Sequence, residues 1–499
     1  MILNINGDVN RYFVQTLCMV YFPGSTFGEK EERTEGTPVV DVCVYKEGDC
    51  ATARVKIVLN DKCCECTESV SLDEEVTVAT HEALAVGRAL FAAGKDLLGY
   101  TPPWGILTGV RPAKIARGLI KNGNGINRSK RILRDEYFLN PQKAALAVSV
   151  ASNEIKLLKK VDKNTCSLYV SIPFCPSRCA YCSFVSYTTP RLLSLVDEYV
   201  DTLLTEIDEI FITIKQIGLR LSTVYIGGGT PTTLTEKQLE MLLNKIKENV
   251  NPEELDEFTL EAGRPDTITA EKLSIAKKYG VTRISVNPQT LNDDILNDIG
   301  RRHTVEDFYR AYEIARESGI RDINVDLIAG LPGDDFKNFS ETMDKVLELR
   351  PTNITVHTFC VKKASDALRN NSGIYSVNGG DAGKCVSYSQ LRTKFSGYKP
   401  YYMYRQKNTV GNLENVGYSS DGHEGLYNIF MMEEVQTIFA VGAGAVTKLV
   451  RRDAEQGTNP IARLSNPKYP YEYLEKYRNN LTDEALKLRN KCLKFFGKD

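Results

Sequence analysis

Strand-like and helix-like segments alternate through the middle of this 499-residue chain, and this alternation constrains its fold more than any other feature. Short apolar runs are separated by long amphipathic stretches, of which 192–217 and 236–250 are the clearest predicted helices. The predicted strands are 168–172, 223–226, 257–260, 283–286, 322–327 and 353–356. Strands and helices in strict alternation form a parallel sheet with right-handed crossovers, and functional groups gather at the carboxyl ends of its strands. The segment therefore predicts a parallel α/β architecture, either a partial barrel or an open sheet.

Three cysteines form the clearest chemical motif. Cys175, Cys179 and Cys182 have the spacing C-x3-C-x2-C and follow the first predicted strand directly. Three thiolates on one tight loop can bind three corners of a cubane iron–sulfur cluster, which leaves the fourth iron open to a small-molecule ligand. A structural zinc site is the alternative, but it requires four closed ligands, and no further Cys or His follows at a suitable distance. We interpret the motif as an iron–sulfur loop.

Further polar motifs follow the later predicted strands. The run 227–232, Gly-Gly-Gly-Thr-Pro-Thr, lets the backbone approach a ligand closely, although a tight turn is the alternative. Glu261 places a carboxylate where a cationic ligand group could be paired, and Arg301 could bind a carboxylate in a bidentate manner. Asp326 lies inside an apolar strand, where a carboxylate is unfavourable unless it faces a polar ligand or partner. A buried structural carboxylate is the alternative for Asp326.

The cysteine loop and these motifs together resemble the radical S-adenosylmethionine (SAM) superfamily, and within it the oxygen-independent coproporphyrinogen III oxidases. The resemblance covers about residues 165–450. It implies a 4Fe–4S cluster whose open iron is chelated by SAM, and a reduced cluster that cleaves SAM into methionine and a 5′-deoxyadenosyl radical. It also implies an α/β fold with a partial (β/α)6 barrel. The expected division is an N-terminal α/β domain over 1–160, the radical SAM core over 161–365 and a substrate-covering C-terminal extension over 366–499.

The resemblance also implies which residues form the site. Cys175, Cys179 and Cys182 would be the catalytic and metal-binding residues, and family members use the glycine stretch to hold the methionine amino group of SAM. Cys360 falls where the family uses a backbone contact. The predicted cofactor-binding residues are Tyr169, Tyr181, Gly228, Gly229, Thr230, Glu261, Gln289, Arg301, Asp326 and Cys360.

The implied activity is that of an oxygen-independent coproporphyrinogen III dehydrogenase of haem and porphyrin biosynthesis. Such an enzyme converts two propionates of its tetrapyrrole substrate to vinyl groups, which gives protoporphyrinogen IX, and an electron donor such as flavodoxin or ferredoxin reduces the cluster. Two departures from the oxidase pattern bear on this assignment: the first favours the related haem chaperones as an alternative, and the second weakens both assignments. Phe184 stands where the oxidases have a fourth cysteine, and Ser171 replaces a histidine that is usual in both relatives.

A third departure concerns the loop after the third predicted strand. It carries Gly-Arg-Pro-Asp over 263–266, whereas the oxidases usually have Glu-x-Asp-Pro-Arg. A solvated capping cluster is therefore an alternative for Arg264 and Asp266. Arg302 and His303 are explained equally well as charges at a helix end.

Charge, hydropathy and cysteine usage disfavour several other classes of protein. The formal net charge of −1 gives no basic surface for nucleic acid, which disfavours a radical enzyme acting on RNA. No run approaches the ~20 apolar residues that a membrane span requires, so no membrane association is expected. The thirteen cysteines are scattered unevenly, as is usual in a reducing compartment, and we expect a cytoplasmic protein.

The flanking regions give weaker signals. In the N-terminal part we predict strands at 39–45 and 53–59, a helix over 82–98, and helices in 127–159 with a break at Asn140–Pro141. Cys63, Cys64 and Cys66 are predicted to be thiols without a metal. In the C-terminal part, Arg405 and the tyrosines beside it would suit a flat, carboxylated tetrapyrrole, and ordinary packing explains them equally well.

Overall fold

The computed structural model describes residues 1–28, 36–74, 80–109, 111–159, 161–182, 186–360, 380–406, 409–451, 460–478 and 481–498. These residues form a four-stranded and an eleven-stranded sheet with helices packed on them. The N-terminal elements are β1 (Ile2–Asn6), α1 (Arg11–Tyr21), β2 (Val39–Glu47), β3 (Cys50–Leu59), β4 (Lys62–Ser71), α2 (His81–Leu98), α3 (Pro112–Leu119), α4 (Gly125–Asp135) and α5 (Pro141–Leu158).

The middle and C-terminal elements build the larger sheet. The middle elements are β5 (Thr165–Ile172), α6 (Pro190–Leu193), α7 (Val196–Ile217), β6 (Arg220–Gly228), α8 (Glu236–Asn249), β7 (Glu257–Glu261), α9 (Ala270–Lys278), β8 (Arg283–Ser285), α10 (Asp293–Asp298), α11 (Val305–Glu317), β9 (Asp322–Ala329), α12 (Phe336–Glu348) and β10 (Asn353–Thr358). The C-terminal elements are α13 (Gly380–Phe395), β11 (Lys399–Arg405), β12 (Glu414–Ser419), α14 (Leu426–Glu433), β13 (Thr437–Val441), β14 (Val446–Val450), β15 (Ile461–Ser465), α15 (Pro470–Arg478) and α16 (Leu481–Phe495).

The N-terminal unit is a sheet in the order β1-β2-β3-β4 with α2 packed against β3 and β4. The predicted strands 39–45 and 53–59 lie within β2 and β3, whereas β1, β4 and α1 were not predicted. The predicted break at Asn140–Pro141 is the start of α5, because the Asn140 side chain accepts a hydrogen bond from the Lys143 amide at 2.8 Å. Proline at the first position of a helix loses no hydrogen bond, so it supports the same start.

The six predicted strands are β5 to β10, and they lie side by side in chain order and parallel. This confirms the α/β class with a partial barrel. A seventh parallel strand, β13, pairs with the outer edge of β5 and was not predicted. Antiparallel strands extend the sheet on both sides, so that among the described residues β11 and β15 form its two edges. The predicted boundaries at 160 and 365 lie outside the described residues, and the three-part division stays a prediction.

The two faces of the parallel sheet differ in chemistry. On β5, Leu168 and Val170 join one apolar core with the surrounding helices, while Tyr169 and Ser171 alternate with them. Successive side chains of a strand point to opposite faces, so the barrel has an apolar outer face and a polar inner face. The polar residues that share this inner parity on the other strands include Thr223, Tyr225, Glu257, Thr259, Glu261, Arg283, Ser285, Asp322, Asn324, Asp326, Asn353, Thr355 and His357.

A buried ion-pair network closes the amino ends of these strands. Arg283 lies 3.2 Å from Asp322, donates to the side chain of Asn353 and to the backbone carbonyl of His423, and lies 3.5 Å from Glu257. Each partner comes from a different strand or loop. The network leaves the opposite, carboxyl end of the barrel for the site.

The N-terminal unit packs against β11 and β12 through buried polar groups. Lys143 pairs with Glu414, and Trp104 donates a hydrogen bond to the same carboxylate at 2.8 Å. The Arg405 guanidinium lies over the Trp104 ring at 5.5 Å and donates to the backbone carbonyls of Leu107 and Asn412. Arg405 is buried and joins the two units, which is the packing role that the sequence left open for it. Among the described helices, none is both long and apolar enough to cross a membrane.

Candidate cluster and cofactor site

The three motif cysteines lie on one short loop after β5. Cys175 and Cys179 are buried, at 7% and 9% exposure, and Cys182 is partly buried. The Cys175 amide donates to the Tyr187 carbonyl at 3.1 Å, and the Cys182 amide donates to the Cys179 carbonyl at the same distance. Burial raises the pKa of the Cys175 thiol, and the neighbouring Cys182 and Cys179 raise it further. The three thiols therefore lie on one short loop, and their role as cluster ligands stays a prediction.

The glycine stretch after β6 approaches this loop closely. A Cβ atom on Gly229 would lie 2.6 Å from the Phe174 carbonyl oxygen and 3.0 Å from the Cys175 sulfur, so only glycine permits this approach. In the described part of the chain, no three Cys, His, Asp or Glu side chains converge on one metal ion. Cubane ligands bind different irons and need not converge, so three thiols on one loop suit such a cluster.

Arg264 and Ser177 fasten the cluster loop to the loop after β7. Arg264 Nη1 lies 3.7 Å from the Cys179 sulfur and 3.3 Å from the Ser177 carbonyl oxygen, and Nη2 donates to the Ser177 hydroxyl at 3.0 Å. The same guanidinium holds the Asp266 carboxylate with two hydrogen bonds at 3.0 and 3.1 Å. Arg264 is buried, so a solvated capping cluster is the wrong interpretation of Arg264.

The glycine stretch after β6 lies directly against the cluster loop. The Gly229 amide donates to the Ile172 carbonyl at 2.7 Å, and the Thr230 amide donates to the Phe174 carbonyl at 2.8 Å. The Thr230 hydroxyl lies 3.2 Å from the Cys175 sulfur. Gly228 has a φ of 110°, which strongly favours glycine. A protonated ligand amino group donates hydrogen bonds, so it would bind carbonyl or hydroxyl oxygens of this stretch and not these two amides.

Two carboxylates lie at the carboxyl ends of β7 and β9. Glu261 accepts a hydrogen bond from the Tyr225 hydroxyl, and burial together with the negative charge of Asp326 raises the pKa of Glu261 to about 7. Asp326 accepts from Asn324 at 2.7 Å and Asn287 at 2.9 Å. The two carboxylates thus have different protonation behaviour in one site.

His357 adds a basic group that the sequence analysis missed. Its Nε2 lies 3.5 Å from Asp326 Oδ2. Burial alone would raise the pKa of Asp326, but hydrogen bonds from His357, Asn324 and Thr355 outweigh burial and lower it. The available signal was its position at the end of the sixth predicted strand, in a chain with only four histidines.

Arg301 connects the loop after β8 to the cluster loop. Its Nε and Nη2 donate to the Tyr181 hydroxyl at 3.1 and 2.8 Å, and Nη1 donates to the Gly263 carbonyl at 3.1 Å. Tyr181 therefore occupies the edge of the guanidinium that would bind a carboxylate. Gln289 adopts a left-handed backbone with φ of 72°, and its amide donates to the Asp326 carbonyl at 3.1 Å.

The last two predicted residues lie at the wall of the barrel. Tyr169 stacks with Tyr225 and Tyr427 at ring distances of 6.2 and 6.3 Å, and Tyr225 lies 4.4 Å from Tyr427. Tyr427 belongs to α14 and was not predicted. Cys360 follows β10 and forms an isolated backbone bridge with Thr409. The predicted departure at position 184 lies outside the described residues.

Comparisons with known proteins find similarity to one superfamily and to several relatives. Residues 169–346 match the sequence model of the radical SAM superfamily. The chain is 38% identical over 392 residues to the oxygen-independent coproporphyrinogen-III oxidase-like protein HemZ of Bacillus subtilis, which covers 78% of this chain and 77% of that protein. It is 40% identical over 198 residues to the heme chaperone HemW of Bacillus subtilis, which covers 39% of this chain and 51% of that protein.

One solved structure shares the fold over much of the chain. The coproporphyrinogen III oxidase HemN from Escherichia coli, described as a radical SAM enzyme, superimposes with a TM-score of 0.51 at 22% sequence identity. The match covers 65% of this chain and 71% of that one. At this identity the similarity establishes the fold alone.

Proposed function

This chain belongs to the family of oxygen-independent coproporphyrinogen-III oxidase-like radical SAM proteins, and we propose that it decarboxylates two propionate side chains of coproporphyrinogen III, which gives protoporphyrinogen IX. The extent of the HemZ match carries the proposal. Its 392 residues exceed the 339 residues from 161 to 499 (499 − 160), so it extends into the N-terminal unit. The heme chaperone matches are shorter: HemW of Bacillus subtilis matches over 198 residues and HemW of Haemophilus influenzae over 316, both fewer than these 339 residues.

The radical SAM superfamily implies a 4Fe–4S cluster and SAM. When bound, the cluster supplies the electron that cleaves SAM into methionine and a 5′-deoxyadenosyl radical. In the proposed net reaction, each propionate loses one hydrogen atom from its β-carbon, one electron and carbon dioxide, and a vinyl group remains. The hydrogen atom ends in 5′-deoxyadenosine, and a one-electron acceptor takes the electron.

In this proposal different residues of the chain hold the cluster and orient SAM. Cys175, Cys179 and Cys182 would hold the cluster. Asp326, kept ionised by its hydrogen bonds, would accept hydrogen bonds from SAM, and Glu261 would do so in its ionised form. Hydrogen bonds to an ionised group are roughly twice as strong as neutral ones, which favours two carboxylates at this position.

Arg301 would act mainly as a positioning residue. Its guanidinium already holds Tyr181, which precedes Cys182, and Gly263, which lies two residues after Glu261. It thereby fixes the cluster loop relative to the β7 carboxylate. A carboxylate of SAM or of a substrate would have to displace Tyr181 to bind Arg301 in a bidentate manner.

Anaerobic turnover tests the proposal. The protein is reconstituted with iron and sulfide, reduced with dithionite and given SAM and coproporphyrinogen III, and 5′-deoxyadenosine and vinyl product are measured together. We expect both products in proportion. Replacing Cys175, Cys179 or Cys182 with Ala should abolish the cluster and both products, whereas Asp326→Ala should retain the cluster and lose activity.

Cys166→Ala is the matched control, because Cys166 is a buried cysteine on β5 outside the loop. It should retain the cluster and both products. If 5′-deoxyadenosine forms without vinyl product, the radical chemistry is supported and coproporphyrinogen III is rejected as the substrate. An intact cluster that yields neither product, together with stoichiometric haem binding in a titration, would favour the haem-carrier alternative.

A further inference from the structure

Arg264 is a buried cation in contact with a cysteine of the cluster loop. It is only 3% exposed, and its Nη1 lies 3.7 Å from the Cys179 sulfur, within range of an N–H···S hydrogen bond. Two further bonds to Ser177 fix the guanidinium against the same loop. Arg264 therefore cannot turn away from the sulfur without breaking three contacts.

The charge of Arg264 is partly balanced by one carboxylate. Asp266 binds the guanidinium in a bidentate manner, and its side chain is more exposed than that of Arg264, at 22% against 4%. The cation thus points into the protein toward Cys179, and the anion lies nearer the surface. Because the cation is nearer than the anion, the pair leaves a net positive potential at the Cys179 sulfur.

We propose that Arg264 raises the reduction potential of the cluster by donating to the Cys179 sulfur, with Asp266 limiting the size of the effect. Hydrogen bonds to the sulfurs and local charge are two of the factors that set a cluster's potential. Reduction adds negative charge to the cluster, so a neighbouring cation stabilises the reduced form more than the oxidised form. The inference rests on the cluster of the proposed function and does not depend on its substrate.

Opposite substitutions separate this role from a purely structural clamp. Arg264→Gln removes the charge, and we expect the midpoint potential to become more negative. Asp266→Asn removes the balancing anion, and we expect the potential to become more positive. A structural clamp alone would lower cluster occupancy in both variants without opposite shifts.

The measurement is an anaerobic redox titration of the reconstituted protein, followed by electron paramagnetic resonance of the reduced cluster. We expect Arg264→Gln to lower the equilibrium constant for reduction about tenfold, which corresponds to about 59 mV for one electron. Arg264→Lys retains the charge but not the fork, and it should lie between Gln and the native protein. Arg302→Gln, which removes an exposed cation of the neighbouring loop, is the matched control and should leave the potential unchanged.

Three results would overturn the inference. These are an unchanged potential in Arg264→Gln, shifts of the same sign in Arg264→Gln and Asp266→Asn, or an equal shift in Arg302→Gln. If Arg264→Gln binds no cluster, the test still has two arms: Arg264→Lys should shift the midpoint potential to more negative values and Asp266→Asn to more positive values. If the variants show the expected shifts but the native protein, with its cluster, forms no vinyl product, this inference is retained and the proposed substrate is rejected.

Discussion

Replacing Lys143 with Met will loosen the N-terminal unit from the barrel, because it leaves a carboxylate buried without its cation. Lys143 and Glu414 are 3% and 0% exposed, and they pair across the contact between α5 and β12. Met has nearly the length of Lys and fills the same space, so the substitution removes charge and not packing. Trp104 remains as a hydrogen-bond donor to Glu414 at 2.8 Å.

The size of the effect follows from the burial of the pair. Breaking a buried ion pair by removing one partner costs about 3–5 kcal/mol. We expect about 3 kcal/mol here, because Trp104 still donates to Glu414 and Arg405 lies close enough to interact with it. A loss of about 3 kcal/mol lowers the equilibrium constant for the closed contact by more than about 100-fold.

Trp104 makes this contact measurable, since it is the only tryptophan in the chain. Its fluorescence reports the contact directly, whereas far-ultraviolet circular dichroism reports the whole protein, which need not unfold in one step. At ~1–3 kcal/mol per molar urea, the fluorescence midpoint should fall by roughly 1–3 M. The double variant Lys143→Met with Glu414→Leu should recover most of the loss, because no unpaired charge remains.

Lys156→Met, at an exposed position on the same helix, is the control and should leave the fluorescence midpoint in place. A midpoint shift of less than about 0.3 M in Lys143→Met, well below the expected shift, would contradict this account of the ion pair. A double variant no more stable than Lys143→Met alone would contradict it as well.

Three further outcomes are expected. Gly229→Ala should reduce the iron and sulfide content after reconstitution, because its Cβ would lie 2.6 Å from the Phe174 carbonyl oxygen; full cluster content would contradict this. The pKa of Glu261 is raised to about 7, so in the folded protein this carboxyl group stays largely protonated below that pH. If only the ionised form binds SAM, SAM affinity should rise roughly eightfold from about pH 6 to about pH 7.5. Calorimetry on Glu261→Gln should show no such rise. Arg301→Lys should weaken SAM binding about tenfold at unchanged cluster absorbance, since Lys cannot hold Tyr181 and Gly263 together.

The parallel core was predictable because its signals are local. Each strand of β5 to β10 is marked by its own apolar residues, and each helix between them by its own amphipathic repeat. Right-handed crossovers then leave few ways to arrange consecutive strands. The position of the motifs at the carboxyl ends follows from the same order, which is why the cysteine loop, Glu261 and Asp326 could be placed at one end of the barrel.

Long-range pairings were not predictable from such signals. The apolar run of β13 could have packed anywhere, and nothing within it specifies β5 as its partner. Arg405 and the tyrosines beside it are of the types that often contact a ligand, but the partners of Arg405, Trp104 and Leu107, lie about 300 residues earlier in the chain. The contact between Arg264 and Cys179 spans 85 residues and depends on how two loops meet. The roles of the predicted cofactor-binding residues stay predictions.

The late position of β13 in the chain has a consequence for biosynthesis. Thr437 pairs beside Cys166 but leaves the ribosome 271 residues after it (437 − 166), which is roughly 14–54 s at ~5–20 residues per second. Until then the strand that leads into the cysteine loop has an unpaired outer edge, which is a hazard for aggregation. The Ser171 hydroxyl also lacks its acceptor, the Ala443 carbonyl at 2.9 Å, during this interval. We therefore expect the cysteine loop to be fully supported only once β13 has paired, so that arrested nascent chains that end before residue 437 should carry less cluster than the full chain.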